Sequence, residues 1–152
     1  MPQPMYRFLE LTVEQYMTHA VQTVGCCTRL RELDGLFRRH DFNAFPVVEA
    51  GRLLGVVTKF DFLKAFALTT RELVPRYDEL MQRCVSEVMT ERVVHVEPHV
   101  PLTRVLQMMV DLRSRSFPVV AGGRSLAGII AREDIMRALQ DATCSPLLER
   151  VT

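Results

Sequence analysis

A hydroxyl and a carboxylate stand three residues apart at Thr58 and Asp61, directly after the apolar run 55–57. A hydroxyl at a helix N-terminus can join backbone N–H groups in holding a phosphate, and a carboxylate can accept hydrogen bonds from hydroxyl groups. Lys59 could add a charge-assisted contact to the same phosphate. Helix capping alone also produces this pattern, with Thr58 as the N-cap and Asp61 in the first turn. The residues by themselves leave ligand binding and capping as alternatives.

A second carboxylate follows a similar apolar run at 128–130, but it lacks the hydroxyl. Asp134 lies three residues after Ala131, where the first segment has a threonine. The alanine offers no hydroxyl to donate or accept a hydrogen bond, and Arg132 is the side chain that could offset this loss. Capping and ligand binding are again alternatives for Asp134.

The four cysteines do not form a metal-binding or disulfide pattern. They have no C-x-x-C spacing and only two of them are adjacent, so we expect reduced thiols and neither a zinc cage nor a disulfide framework. The adjacent residues, Cys26 and Cys27, could act as a redox pair. Inert thiols are favoured, because a disulfide between neighbours is strained and no adjacent histidine or lysine would activate either thiol.

Other candidates for catalysis or metal binding are isolated in the sequence. His95 and His99 lie across a predicted strand and turn, and no cysteine or acidic cluster completes a tetrahedral set. The sequence contains no G-x-S-x-G motif, no P-loop and no glycine fingerprint of a dinucleotide site. We therefore expect neither a metal site nor an enzyme.

The two carboxylate segments belong to an internal duplication. Residues 13–54 align without a gap with residues 85–126, and both stretches contain the sequence Phe-Pro-Val-Val. After a one-residue insertion near Ser125, the alignment continues through Asp61 and Asp134. Self-similarity of this length indicates two copies of one supersecondary unit.

Hydrophobic periodicity predicts the order β-α-β-β-α for each repeat. In repeat 1, a strand at 21–24 precedes a helix at 30–39, strands at 45–48 and 53–57, and a helix from about Phe60. Repeat 2 gives the same order, with its first strand at 93–96 and its last helix beginning near Asp134. Neither repeat alone can bury both faces of its small sheet. We therefore predict an α/β (α+β) fold in which the repeats pack sheet to sheet with pseudo-two-fold symmetry.

Length and composition predict one compact globular chain. Of its 152 residues, 48% are hydrophobic and 24% are charged, and a net charge of +1 provides no field that would attract nucleic acid. Without a targeting segment or an apolar span long enough to cross a membrane, we expect a cytoplasmic protein. The predicted parts are an N-terminal extension (1–11), repeat 1 (12–68), a helical connector (69–83), repeat 2 (84–141) and a C-terminal tail (142–152).

These repeated motifs resemble those of the CBS-domain family, whose members carry such repeats in tandem pairs. Each repeat opens with Val-x-x-x-Met-Thr, at 13–18 and 85–90, and continues with Phe-Pro-Val-Val. Each closes with a glycine and an apolar pair shortly before its aspartate. The order and duplication of the three motifs make the resemblance specific. It implies a stand-alone regulatory pair, also called a Bateman module, and not an enzyme.

The resemblance also implies a ligand and partners. An adenosine-containing nucleotide of the AMP, ADP or ATP class is expected in the cleft between the repeats, with S-adenosylmethionine and NAD as alternatives and no cofactor required. A homodimer is expected, because pairs in this family commonly stack into a flat disc. A conformational signal would pass to a protein partner that the sequence does not identify. The alternative is a non-catalytic dimerisation or interaction scaffold with empty clefts.

By the same resemblance, the threonine and aspartate of one repeat serve the phosphate and ribose, and the adenine rests on the other repeat. The first implied pocket has the complete motif and comprises Thr58, Lys59, Asp61, Thr90, Val94, Ser114, Arg115, Ser116 and Pro118. The second is weakened by Ala131 and comprises Thr18, Gln22, Phe42, Asn43, Ala44, Pro46, Arg132 and Asp134. We therefore expect the first pocket to be the better formed.

Overall fold

The computed structural model describes the backbone of residues 4–67 and 77–151 and the side chains of residues 7–67 and 77–143. The chain divides into two compact units, named here for their place along the sequence. The central unit is Gln22–Val93, and the terminal unit combines Met1–Val21 with Val94–Thr152. The unit boundaries do not separate the two repeats, because each unit contains the opening segment of one repeat and the remainder of the other.

The described chain combines short helices with two β-hairpins. Its elements are α1 (Pro4–Glu10), α2 (Val13–Tyr16), α3 (Leu30–Arg39), β1 (Ala44–Glu49), β2 (Arg52–Thr58), α4 (Lys59–Ala67), α5 (Tyr77–Met81), a 3-10 turn (Val85–Glu87), α6 (Leu102–Leu112), β3 (Ser116–Ala121), β4 (Ser125–Ala131) and α7 (Arg132–Val151). This order confirms the α/β class and the repeated succession of helix, two strands and helix.

The two hairpins are built alike. In the central unit, β1 and β2 pair antiparallel, and in the terminal unit β3 and β4 do the same. Both registers shift between the two valines of the Phe-Pro-Val-Val motif. The turn of the first hairpin uses Ala50 at φ 52° and Gly51 at φ 78°. Positive φ at both residues gives a two-residue turn the same twist as the strands that it joins.

The core of the central unit is formed by the hairpin and the helices on either side of it in sequence. On β1, Phe45 and Val47 are fully buried, as expected for alternate residues that share one face of a strand. On α3, Leu30 and Leu33 are fully buried one helical turn apart. The remaining buried members of this cluster are Val24, Val57, Ala65, Met81 and Val85.

The core of the terminal unit repeats this arrangement and extends it with α1. Leu102 and Val105 of α6 are fully buried, together with Val119 and Ile130 of the hairpin. Phe8 of α1 joins the same cluster, whose other buried members are Val13, Val96, Met109, Phe117, Ile135, Ala138 and Ala142. The segment predicted as an N-terminal extension therefore contributes a core side chain.

Each opening segment is fixed to its unit by matching hydrogen bonds. In the terminal unit, the N–H of Val13 donates to the carbonyl of Val100 at 2.9 Å. In the central unit, the N–H of Val85 donates to the carbonyl of Thr28 at 2.7 Å. Val13 and Val85 are both fully buried. Because the opening segment of each repeat completes the core of the other repeat's unit, neither repeat is a self-contained structural unit.

The predicted first strand of each repeat is reduced to one paired residue. Val24 forms an isolated parallel bridge with Val47, and Val96 forms the equivalent bridge with Val119. The chain turns at Cys26 and Cys27 directly after the first bridge, so no longer ladder develops there. The strands predicted at 21–24 and 93–96 are therefore each replaced by a single bridge.

The predicted boundary between repeat 2 and the C-terminal tail falls inside a helix. Helix α7 runs without interruption from Arg132 to Val151, through the predicted boundary at 142. Part of the predicted connector, residues 69–76, lies outside the described residues, and α5 occupies much of its remainder. No helix in the described ranges has both the length and the apolar character needed to cross a membrane.

Candidate functional site

Thr58 and Asp61 form a reciprocal cap where β2 passes into α4. The N–H of Thr58 donates to Oδ2 of Asp61 at 3.0 Å, and the N–H of Asp61 donates to Oγ1 of Thr58 at 3.0 Å. The two side chains thereby satisfy backbone donors that a helix N-terminus leaves unpaired. The capping interpretation of this pair is therefore correct, and the cap holds both side chains in fixed positions.

The carboxylate of Asp61 is buried although it carries a charge. The residue is 4% exposed, and the ammonium group of Lys64 lies 3.2 Å from Oδ1. A buried charge needs a partner of opposite charge or several hydrogen bonds, and the ion pair and the cap supply these. Two carboxylate oxygens offer about four acceptor positions. The contacts with Thr58 and Lys64 use only some of them.

Thr90 lies beside the same carboxylate. Its Oγ1 is 3.5 Å from both oxygens of Asp61. Its backbone is fixed by two hydrogen bonds, because the N–H of Val56 donates to its carbonyl at 3.0 Å and its own N–H donates to the carbonyl of Val56 at 2.9 Å. The closing motif of repeat 1 and the opening motif of repeat 2 therefore meet within the central unit.

Lys59 does not point at this carboxylate. Its N–H donates to the carbonyl of Asn43 at 3.0 Å, and its ammonium group lies 5.8 Å from the centroid of the Phe37 ring. A cation over an aromatic face is attracted by the ring quadrupole. The charge of Lys59 therefore lies over Phe37 of α3. Lys64, which the sequence did not single out, is the cation that neutralises Asp61.

Asp134 occupies the equivalent position in the terminal unit, with half of the cap. The N–H of Ala131 donates to Oδ2 of Asp134 at 2.8 Å, but Ala131 has no hydroxyl to return a hydrogen bond. The residue is 5% exposed, and a guanidinium nitrogen of Arg137 lies 3.2 Å from Oδ1. Arg137 also donates to the carbonyl of Tyr16 at 3.0 Å. The second carboxylate is therefore as buried as the first and ion-paired at the same distance, to a cation that also bonds the carbonyl of Tyr16.

Arg132 does not replace the missing hydroxyl. Its Nε donates to the carbonyl of Ser114 at 3.1 Å, and its N–H donates to the carbonyl of Arg115 at 3.0 Å. These bonds tie the start of α7 to the residues before β3. Thr18 pairs with Ile129 through two backbone hydrogen bonds of 2.8 and 3.0 Å, as Thr90 pairs with Val56 in the central unit.

The other predicted residues of the central unit lie on or before β1. Gln22 and Asn43 are exposed. Phe42 is 47% exposed, and the His40 ring stacks on its ring with 5.4 Å between the two centroids. Ala44 pairs with Thr58, and Pro46 accepts a hydrogen bond from Val24. The structure thus brings Ala44 and Asn43 close to the Thr58 cap.

The other predicted residues of the terminal unit lie on or before β3. Val94 is 47% exposed, and Arg115 and Ser116 are exposed. Ser116 pairs with Ala131, whereas Pro118 is buried and accepts a hydrogen bond from Val96. Among the described side chains, no group of three or more His, Cys, Asp or Glu residues is arranged to hold a metal ion.

Sequence reasoning missed the cations that pair with both buried carboxylates. Lys64 and Arg137 each lie three residues after their aspartate, and residues at this spacing are neighbours on a helix surface. That spacing was visible in the sequence and could have identified both pairs. Sequence reasoning also missed Tyr16. Its hydroxyl donates to Asp141 Oδ2 at 2.8 Å, and its ring lies under Arg137.

Two segments of the chain, residues 13–68 and 85–141, match the family described as "CBS domain". The CBS domain-containing protein YhcV of Bacillus subtilis is 32% identical over 124 residues, which are 82% of this chain and 82% of YhcV. The uncharacterized protein MJ0188 of Methanocaldococcus jannaschii is 29% identical over 145 residues, which are 94% of this chain. The chain spans only 49% of the length of MJ0188.

Solved structures share the fold. The CBS-domain containing protein ATU1752 from Agrobacterium tumefaciens has a TM-score of 0.67 at 30% identity, with 86% of this chain and 94% of that chain covered. The CBS domain pair of protein MJ0100, in complex with 5′-methylthioadenosine and S-adenosyl-L-methionine, has a TM-score of 0.67 at 25% identity, covering 84% and 98%. CBSX2 in complex with AMP has a TM-score of 0.73 at 23% identity, covering 86% and 96%.

Proposed function

This chain belongs to the CBS-domain family, and on that premise we propose that it binds an adenosine-containing ligand of the AMP, ADP or ATP class at Asp61. In this proposal the chain has a regulatory and not a catalytic role. Ligand binding changes the relative stability of two conformations, and a protein partner responds to the change. Such a signal requires that the ligand bind the two conformations with different affinities.

The observation that carries the proposal is the state of the Asp61 carboxylate. It is buried, held by the Thr58 cap and neutralised by Lys64, and the Thr90 hydroxyl is 3.5 Å from both of its oxygens, a long contact that ligand hydroxyls can replace. A fixed carboxylate suits the two adjacent hydroxyls of a ribose, because it can accept a hydrogen bond from each. The Thr58 hydroxyl stands at the start of α4, where the N–H groups of Thr58, Lys59 and Asp61 already donate within the chain and the hydroxyl itself can donate to a phosphate. Its hydrogen bond from the Asp61 N–H leaves its own proton free to donate.

The ligand class is supported by a solved neighbour. MJ0100 holds 5′-methylthioadenosine and S-adenosyl-L-methionine, and both molecules contain adenosine. The proposal gives the second carboxylate a weaker role. Asp134 lacks the hydroxyl partner, and Arg137 is shared between Asp134 and Tyr16. The other residues assigned to the two pockets by resemblance stay predictions.

Isothermal titration calorimetry of the full chain with AMP, ATP, NAD and S-adenosylmethionine tests the proposal. At least one of them should bind, and Asp61→Asn should raise its Kd by about 10-fold or more, because a hydrogen bond to a charged group is worth roughly 1.5–3 kcal/mol. Asparagine keeps one carbonyl oxygen for the cap, so the melting temperature checks that the variant folds.

A matched control is Asp78→Asn, which removes an exposed carboxylate of the same unit. It should leave the Kd unchanged. A 2′-deoxy form of the bound ligand should bind the wild-type chain more weakly than the ribose form does. The two forms should bind Asp61→Asn with equal affinity. If no ligand binds to protein that is shown by mass spectrometry to be free of carried-over nucleotide, the proposal is wrong.

A second candidate function is a dimerisation or interaction scaffold. Phe60 and Leu63 on α4 are 69% and 61% exposed, and large exposed apolar side chains on one helix favour contact with another protein. Under this alternative, Leu63→Glu would disrupt self-association in sedimentation velocity, while Asp61→Asn would leave both self-association and partner binding unchanged. Ligand binding that depends on Asp61 would favour the first function.

A further inference from the structure

Two adjacent cysteines occupy a tight turn of the central unit. The N–H of Thr28 donates to the carbonyl of Gly25 at 3.1 Å, and the N–H of Gly25 donates to Oγ1 of Thr28 at 3.0 Å. The turn that these bonds close presents Cys26 and Cys27, whose sulfur atoms lie 3.7 Å apart. Cys27 is exposed and Cys26 is half-buried. A small reagent can therefore reach Cys27 first.

A carboxylate is positioned on the less exposed thiol. The thiol of Cys26 donates to Oε2 of Glu49 at 2.6 Å. Glu49 is the last residue of β1, so the strand fixes its backbone beside the turn. This hydrogen bond, and after it the contact with Cys27, raises the pKa of Cys26 to about 12. Cys26 thus stays protonated near neutral pH, because Glu49 disfavours its thiolate form.

We propose that Cys26 and Cys27 form a modification site for low-molecular-weight disulfides, at which Cys27 exchanges first and Cys26 then displaces the small thiol. Sequence alone favoured inert thiols because no residue next to the pair could activate it. The structure places an exposed thiol and a second sulfur 3.7 Å apart, and Glu49, which is distant in sequence, keeps the second thiol protonated so that Cys27 exchanges first. The site is independent of the nucleotide proposal, because neither cysteine is among the residues assigned to ligand binding.

The exchange can be written for oxidised glutathione as the small disulfide. The Cys27 thiolate attacks one glutathione sulfur, a Cys27–glutathione bond forms, and the other glutathione leaves as a thiolate. Cys26 then gives up its proton to water, and its thiolate attacks the sulfur of Cys27. The second glutathione leaves and takes up that proton. The two cysteines lose two electrons and two protons together, and one oxidised glutathione becomes two reduced molecules.

Adjacency makes the product easy to reverse. Neighbouring Cα atoms are about 3.80 Å apart across a trans peptide, which is shorter than the roughly 4.4–6.8 Å found for ordinary disulfides. Strained or exposed disulfides are the ones that cellular thiols reduce readily. The strain that argues against a permanent disulfide at this position therefore favours a reversible modification.

The test treats the full chain with oxidised glutathione, blocks free thiols with N-ethylmaleimide at acid pH, and maps tryptic peptides by mass spectrometry. The peptide 8–29 contains both cysteines and no other cysteine. In the wild-type chain it should lose two hydrogens and carry neither glutathione nor maleimide, and dithiothreitol should restore both thiols. In Cys26→Ser the same peptide should retain one glutathione.

Three further variants separate the roles. Cys27→Ser should prevent the modification of this peptide, whereas Cys84→Ser should behave like the wild type. Glu49→Gln should speed the loss of bound glutathione by about tenfold or more, as expected when the carboxylate that keeps Cys26 protonated is removed. The proposal is overturned if the wild-type peptide keeps glutathione, if Cys27 links to Cys84 or Cys144, or if ring closure is unaffected in Glu49→Gln.

Discussion

The carbonyl oxygen of Thr90 lies 2.5 Å from the position that a Cβ atom on Gly55 would occupy. Only a glycine allows β2 and the opening segment of repeat 2 to approach this closely. The approach brings the Thr90 hydroxyl to 3.5 Å from the Asp61 carboxylate. In the terminal unit, Gly128 has the same relation to the carbonyl of Thr18, at 2.4 Å. These two glycines set the separation between the two motifs that meet in each unit.

Gly55→Ala should therefore destabilise the protein. A new methyl group against a backbone carbonyl forces a backbone shift, and we expect the free energy of unfolding in urea to fall by about 1–3 kcal/mol. Gly122→Ala is the control, since a Cβ at Gly122 meets nothing within 4 Å. Its effect should stay within about 0.5 kcal/mol. Equal losses in the two variants would contradict the role of the close approach.

Most of the fold could be predicted from local patterns in the sequence. The repeated Phe-Pro-Val-Val and the turns after it predict both hairpins, and the spacing of Leu102 and Val105 predicts α6. The exchange of opening segments could not be predicted in this way. It depends on hydrogen bonds such as Val13 to Val100, between residues far apart in the chain. A duplicated sequence is compatible with both exchanged and unexchanged arrangements.

The candidate site could be predicted only in part, because only some of its contacts join residues that are close in sequence. Thr58 and Asp61 are close in sequence, so their joint position followed from the start of one helix. Lys64 could have been found from its spacing to Asp61. The placement of Lys59 over Phe37 and of Glu49 on Cys26 depends on how strands and turns pack. No local pattern contains that information.

The missing hydroxyl at position 131 should be measurable as a difference in stability. Thr58→Ala removes a cap and should cost about 0.5–2 kcal/mol, while Ala131→Thr restores the reciprocal cap and should stabilise the chain by a similar or smaller amount. Urea denaturation measures both. Thr58→Ser keeps the hydroxyl and should lose little. A neutral or destabilising Ala131→Thr would show that the terminal unit cannot accommodate the full cap.

Arg137→Met should cost more stability than Lys64→Met. Both variants remove the ion-pair partner of a buried aspartate, and both cations are 54% exposed, so each ion pair alone is worth no more than about 1 kcal/mol. Arg137 also donates to the carbonyl of Tyr16 and lies over its ring at 5.6 Å. Denaturation at low and high salt separates the ion pairs from the contact between Arg137 and Tyr16. Salt weakens the ion pairs but does not weaken the packing of Arg137 on the Tyr16 ring. Equal losses at high salt would contradict this difference.

The Tyr16 hydroxyl should make stability fall in alkaline solution. Partial burial and then the hydrogen bond and charge of Asp141 raise the pKa of Tyr16 above its ordinary value of 10.0, and the charge of Arg137 offsets only part of this. Because the folded chain holds this proton more tightly than the unfolded chain, the stabilisation is complete below about pH 10. It is lost as the pH rises through the folded-state pKa. The melting temperature should therefore fall more steeply above pH 10 in the wild type than in Tyr16→Phe, with Asp141→Asn between them. Parallel slopes in the wild type and Tyr16→Phe would show that this hydroxyl does not contribute.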